Sequence, residues 1–270
     1  MKNITSDVTK LEHEFASFTR GCRKKIFIYG DSHCKCFTRD ETKIGNIVVK
    51  NCYYQCASMR GLSNINSKLK YQPFILDNVA KHSNDYHVFK FGQVDVEYGF
   101  WYKKLIKKEN IQQIDFFNKM IDEYIGLMLK IKDNISQNII ICGVNLANDI
   151  IGVLREINTT YTNWNNGIAE KKQAHNLKEL PRHITIQTQT SNLLTFNDIL
   201  KRCCDDHYIK YFDTTSECST KNKAGDIIRK DIFKGLDHHY AGAEWKLPSE
   251  HHGSYTHYIF LKALLNSITT

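Results

Sequence analysis

Three short stretches of the chain carry residues that can do chemistry together. Gly30-Asp31-Ser32-His33 follows an apolar run near the N-terminal end. Phe91-Gly92-Gln93-Val94-Asp95 follows another, and Gly235-Leu236-Asp237-His238-His239-Tyr240 precedes a last apolar stretch. A serine alone is a weak nucleophile and needs a base, usually histidine, within hydrogen-bond reach. A serine on a tight strand-to-helix turn also presents its own N–H to a developing oxyanion. An early serine and a late histidine are compatible with this chemistry if both loops reach the same end of one sheet.

Each of these residues has a plainer reading. Ser32 can simply cap a helix, since serine is a favoured N-cap. Asp31 can be a turn residue or a contact to a neighbouring strand, and His33 a packed or substrate-lining residue. Asp95 and Glu97 can bind substrate hydroxyls or form a salt-bridged rim. The aromatic run Tyr98, Phe100, Trp101 and Tyr102 suits a sugar face, and equally a core. His238, His239, His251, His252 and His257, with Asp237 and Glu250, are rich enough in donors for a transition metal. No HExxH pair appears, and His251 and His252 are adjacent rather than on one helix face. No metal and no cofactor are therefore expected. Walker A and GxGxxG loops are absent too.

The elements that must position these residues read as follows. Short β-branched or aromatic runs, bounded by Gly or Asp, lie at 25–29, 46–49, 87–91, 138–142 and 208–212, and they predict buried strands. Between 111 and 131, Ile111, Ile114, Phe117, Ile121, Tyr124, Met128 and Ile131 draw a stripe at helical spacing. Further helices are expected at 195–204 and 257–268. Strands alternating with helices predict a mostly parallel sheet covered on both faces, with ligands at the carboxyl ends of the strands.

Composition narrows the class. The chain has 270 residues, 41% hydrophobic and 24% charged, which is the balance of a folded globular protein. No run of ~18 apolar residues is present, so no membrane partner is expected. The stretch before Arg23 lacks the apolar core of a signal peptide, and a cytoplasmic location is expected. The nine cysteines are odd in number and form no recurring CxxC pair, which favours reduced thiols over a disulfide framework. The net charge of +8 comes from scattered lysines without a nucleic-acid motif, so no nucleic-acid partner is expected. An excess of Ile, Lys and Asn matches the coding bias of an AT-rich genome.

Gly30-Asp31-Ser32 after the first strand, a glycine-containing second block, a Gly-x-x-Asp after the third strand and an Asp/His block before the last helix resemble the SGNH (GDSL-like) hydrolases. The order of the blocks matches from about Lys24 to Leu265. The resemblance implies a three-layer α/β/α sandwich with a mostly parallel five-stranded sheet, SGNH/flavodoxin-like, over residues 23–270; the helical character of Val8 to Phe18 predicts a helical extension at 1–22 before it. It implies that Ser32 is the nucleophile and that His239 is the base, with His238 its rival and Asp237 to orient it. Gly61, in Ser58-Met59-Arg60-Gly61-Leu62, matches the second oxyanion donor. Gly92 and Asp95 match the third block, with Asp31, His33 and Gln93 beside them in the substrate-binding set.

Two departures stand out. Val94 takes the place of the asparagine that is usually the third oxyanion donor, and losing one such donor commonly costs ~100- to 1000-fold in rate. A Gly-x-Val/Ile-Asp third block resembles a subgroup linked to glycan assembly or modification; Gln93 is a candidate replacement amide. Aligning His239 with the base puts Leu236, rather than an aspartate, three residues before it. The expected function is a serine esterase or O-acyltransferase acting on a small-molecule or glycan ester. The alternatives are a catalytically decayed scaffold that binds a glycan or protein, and a metal-dependent hydrolase using the histidine cluster. Oligomeric state is not readable from the sequence.

Overall fold

The computed structural model describes residues 24–38, 40–44, 46–55, 57–146, 185–230 and 255–269. Six strands form one sheet: β1 (Lys25–Gly30), β2 (Glu41–Ile44), β3 (Ile47–Tyr53), β4 (Tyr86–Lys90), β5 (Ile139–Cys142) and β6 (Lys210–Phe212), in the spatial order β2-β3-β1-β4-β5-β6. All neighbours are parallel except β2 with β3. Ser219–Lys221 and Ile227–Arg229 make a separate small hairpin, β7 and β8.

The five parallel strands are those the apolar runs predict. The five-stranded expectation is corrected by β2, an antiparallel edge strand of sequence Glu-Thr-Lys-Ile. An edge strand faces partners on one side only and needs no continuous apolar run, so periodicity does not reveal it.

Side-chain alternation divides the sheet into two faces. Phe27, Tyr29, Phe89, Ile139 and Ile141 join one core cluster, while Ile26, Ile28, Val88, Ile140 and Cys142 join the other. The first face is covered by α1 (Met59–Ser63), α2 (Tyr71–Lys81), α3 (Gln113–Asn134) and α4 (Ile186–Asp206). The second is covered by the turn after β1 and by α5 (Tyr255–Thr269). The result is the expected three-layer α/β/α arrangement.

The long helix carries its stripe as predicted from Phe117 through Ile121, Tyr124, Met128 and Ile131, all buried. Ile114 is 46% exposed, in the first turn of a helix that begins at Gln113. α4 starts nine residues earlier than the predicted 195, and its polar first half buries Gln189, Thr190 and Asn192.

The order of the parallel strands places β1 between β3, which follows it, and β4, which comes later. The chain thus reverses its direction of travel across the sheet at β1, and such a switch point opens a crevice at the strands' carboxyl ends. The Gly30–His33 and Gly92–Asp95 segments both lie at that rim. Residues 1–22, read as a helical extension, lie outside the described residues.

Candidate active site

β1 ends at Gly30, where a side chain would collide with the Lys90 carbonyl and the Cys34 thiol. Only glycine lets the chain turn here while β4 runs alongside. The turn continues as a short 3-10 helix, Ser32–Cys36. Asp31 is its N-cap: Asp31 Oδ1 accepts the His33 N–H at 2.8 Å. The capping role open to Ser32 is therefore filled by its neighbour. Ser32 stands at the first position of the turn, half-buried.

The third block is organised differently from a plain loop. Gly92 has φ +109, and a side chain there would strike the Phe196 ring at 2.7 Å, so this position is restricted to glycine twice over. Two π-helical turns follow, Asp95–Gly99 and Tyr102–Ile106. Wide turns of this kind are rare and cluster at functional sites.

Gln93, Asp95 and Glu97, spaced two apart, reach three different neighbours from this segment. Gln93 grips the loop after β5: its Oε1 accepts the Asn145 N–H at 2.6 Å and its Nε2 donates to the Asn145 carbonyl at 3.1 Å. The same Nε2 donates to Glu97 Oε1 at 2.6 Å. Asp95 reaches the second block, where its Oδ2 accepts the Met59 N–H at 2.6 Å. Glu97 reaches the first block, with Oε2 3.7 Å from His33 Nε2, an ion-pair contact longer than a hydrogen bond. His33 Nδ1 lies 2.7 Å from Asp31 Oδ1.

All of these side chains are buried: Asp31, His33 and Glu97 are 1% exposed, Gln93 2% and Asp95 3%. Lys90 is buried with them and donates to the Gly143 carbonyl at 2.8 Å. Burial alone would push the Asp31 carboxyl up. His33, through its charge and two hydrogen bonds, and then Lys90 outweigh that, and the carboxyl lies below its ordinary value. Asp95 goes the other way: burial pushes it up to about 7, which the Met59 N–H and the Arg60 charge only partly offset. The two carboxyls thus differ by environment, one beside cations and one mostly beside backbone.

The sequence-predicted residues fall into three groups. Asp31, Ser32, His33, Gly92, Gln93 and Asp95 come together at one rim. As described, Asp31, His33, Gln93 and Asp95 bond to one another's segments from inside the protein, which differs from a substrate-facing set. Asp95 and Glu97, read as hydroxyl binders or a salt-bridged rim, are both buried, and Glu97 makes an ion-pair contact with His33.

Gly61 joins the same rim on α1, but its N–H donates to Ser58 Oγ at 2.9 Å as that helix's cap. The Gln93 amide is likewise fully engaged. Neither donor is turned toward an oxyanion in this geometry. His239, His238 and Asp237 lie outside the described residues. One late residue is placed: His257 Nε2 lies 3.0 Å from the Lys35 carbonyl, which ties the start of α5 to the turn that carries Ser32.

Lys90 and Asn145 belong to this network without having been singled out in the sequence, and Glu97, read there as a hydroxyl binder or part of a salt-bridged rim, belongs to it as well. A lysine inside the apolar run of a central strand was the available signal for Lys90. The spacing of Gln93, Asp95 and Glu97 was the signal for Glu97, and it is informative only once the π-helical turn is known.

Other chemistry finds less support. The described cysteines are free thiols, and burial pushes Cys34 and Cys36 well above the ordinary thiol value, which makes them poor nucleophiles. Among the described residues, no three His, Cys, Asp or Glu side chains are placed to hold a metal ion. No described helix is long and apolar enough to cross a membrane.

No family model matches the chain, and no curated protein matches its sequence. Among solved structures, it is similar to an acetylxylan esterase from Geobacillus stearothermophilus, at 14% identity and a TM-score of 0.46, covering 93% of this chain and 96% of that one. It is also similar to a carbohydrate acetylesterase from Sinorhizobium meliloti, at 9% identity and a TM-score of 0.48, covering 91% and 98%. At this level of likeness no activity is carried over from them.

Proposed function

We propose that the protein is a Ser32-dependent ester-acting enzyme, an esterase or O-acyltransferase, with a carbohydrate ester as its substrate class. The observation that carries the reading is the position of Ser32. Ser32 opens the turn at the switch-point rim, and the neighbouring Asp31 takes the capping role that a serine there could fill.

In the proposed reaction Ser32 Oγ attacks the ester carbonyl carbon while His239 takes its proton, with His238 as the rival base and Asp237 to orient the ring. The tetrahedral intermediate collapses, the carbon–oxygen bond to the alcohol breaks, and the alcohol leaves with that proton. The acyl group on Ser32 then passes to water or to a sugar hydroxyl. The contact between His257 and Lys35 supports this route, because it brings the far end of the chain to the serine's turn. The Ser32 N–H is the oxyanion donor this proposal retains.

A groove of about 910 Å³ borders the second block at Ser58 and Gly61. Its walls include Arg60, Gln112, Asp115, Lys119 and Glu123, so it offers donors and acceptors of both signs. That balance suits a neutral polyhydroxyl group better than an anion.

A second reading is favoured by a specific observation. The Val94 side chain has no donor, the Gly61 N–H is bonded to Ser58, and the Gln93 amide is used up. A scaffold that binds a glycan or a partner without turnover accounts for these as well. Hydrolysis of p-nitrophenyl acetate and of acetylated sugars by wild type and Ser32→Ala separates the two. Turnover lost in Ser32→Ala is the expected result. Turnover that survives the substitution removes Ser32 from the chemistry, and no turnover of any ester by wild type favours the scaffold.

A further inference from the structure

Ser32 lies between two residues that are each immobilised by buried polar contacts. Asp31 and His33 are both 1% exposed, and Asp31 Oδ1 takes two bonds from His33, one from its backbone and one from its ring. The far side of the imidazole faces Glu97 at 3.7 Å. Glu97 is itself held by Gln93, whose amide clasps the backbone of Asn145 on the loop after β5. A continuous line of polar contacts therefore runs from the β5 loop through Gln93, Glu97, His33 and Asp31 to the turn that carries the serine.

Burying two carboxylates and an imidazole is costly, and apolar side chains of similar size fill such a space without that cost. What the charged groups add is direction. Asp31 accepts the Nδ1–H of the ring, and a protonated ring also attracts the Glu97 carboxylate 3.7 Å from its Nε2 side, which favours one plane of the ring and one placement of the residue that bears it. Glu97, in the widened π turn that follows Gly92, faces the side of His33 opposite Asp31.

We infer that Glu97 is a positioning residue for Ser32: through His33 it fixes the turn that presents the serine hydroxyl. The catalytic consequence rests on the esterase reading; the structural half does not. Glu97→Gln keeps the size of the side chain and an oxygen for Gln93, and removes the charge that faces His33.

The test combines amide hydrogen exchange with labelling by a fluorophosphonate probe. In Glu97→Gln, exchange at the His33 and Cys34 amides is expected to quicken about tenfold while β1 and β4 amides stay protected. The labelling rate at saturating probe is expected to fall about tenfold, with the half-saturating concentration unchanged. A His33→Gln/Glu97→Gln double variant is expected to label no more slowly than either single variant, because both break one line of contacts.

Unchanged exchange at His33 and Cys34 overturns the inference. So does faster exchange with unchanged labelling, which would leave Glu97 a purely structural residue. If Glu97→Gln does not fold, Glu97→Asp, which draws the carboxylate back from His33, is read the same way. If the wild type takes no label at all, the esterase reading falls, and the exchange result alone decides the role of Glu97.

Discussion

Titration of Asp95 gives a quantitative prediction. The carboxyl is 3% exposed and is pushed up to about 7 from an ordinary value of 3.8, chiefly by burial. A rise of about three units corresponds to about 4 kcal/mol. The folded protein holds this proton more tightly than the unfolded chain does. The stabilising contribution is thus fully present below the unfolded value, near 4, and is lost as pH rises through about 7.

Asp95→Asn cannot titrate, yet keeps an oxygen to accept the Met59 N–H. Its stability relative to wild type should therefore improve by up to about 4 kcal/mol between about pH 4 and pH 8. Asp31, whose carboxyl is shifted the opposite way, is present in both proteins and largely cancels in the comparison. Urea unfolding of the two proteins at several pH values across this range measures the difference directly. A gap that stays constant from acid to neutral pH would show that Asp95 ionises like an exposed carboxyl, and would refute the reasoning.

Other expectations follow from the same contacts. Ser32→Ala should leave the cap of the 3-10 turn intact, because Asp31 supplies it; clearly faster hydrogen exchange at the His33 amide would return the capping role to Ser32. Gly92→Ala should destabilise by roughly 1–3 kcal/mol, since it forces a side chain into φ +109 and against the Phe196 ring, and a neutral melting temperature would contradict that geometry. Asn197→Ala should cost about 2 kcal/mol, because this side chain bonds both the N–H and the carbonyl of Val144 from a buried position. Val94→Asn restores an amide at the block's missing donor and should raise ester turnover by roughly tenfold or more; an unchanged rate would place the oxyanion elsewhere.

Much of the frame was legible in the sequence because burial writes itself into composition. β1, β4 and β5 are buried on both faces and read as apolar runs, and the stripe from Phe117 to Ile131 reads as a helix for the same reason. β2 was not legible because Glu41, Thr42 and Lys43 belong to a solvent-facing edge. The first half of α4 was missed because Gln189, Thr190 and Asn192 are polar residues that this fold buries, against the usual pattern.

At the site, Asp31, Ser32, His33, Gly92, Gln93 and Asp95 were recognisable as residues of one rim. Their division of labour was not. The widened turn after Gly92 aims side chains two residues apart at three different loops, and no linear periodicity encodes that. The pairing of His33 with Glu97, 64 positions later in the chain, depends on that turn.

The central claim is that the Ser32 hydroxyl is a reactive nucleophile. The most direct measurement is intact-mass and peptide mapping after treatment of the full chain with a fluorophosphonate. The account predicts a single adduct, located on Ser32 and absent from Ser32→Ala. An unmodified wild-type protein, or an adduct on a different residue, would contradict it.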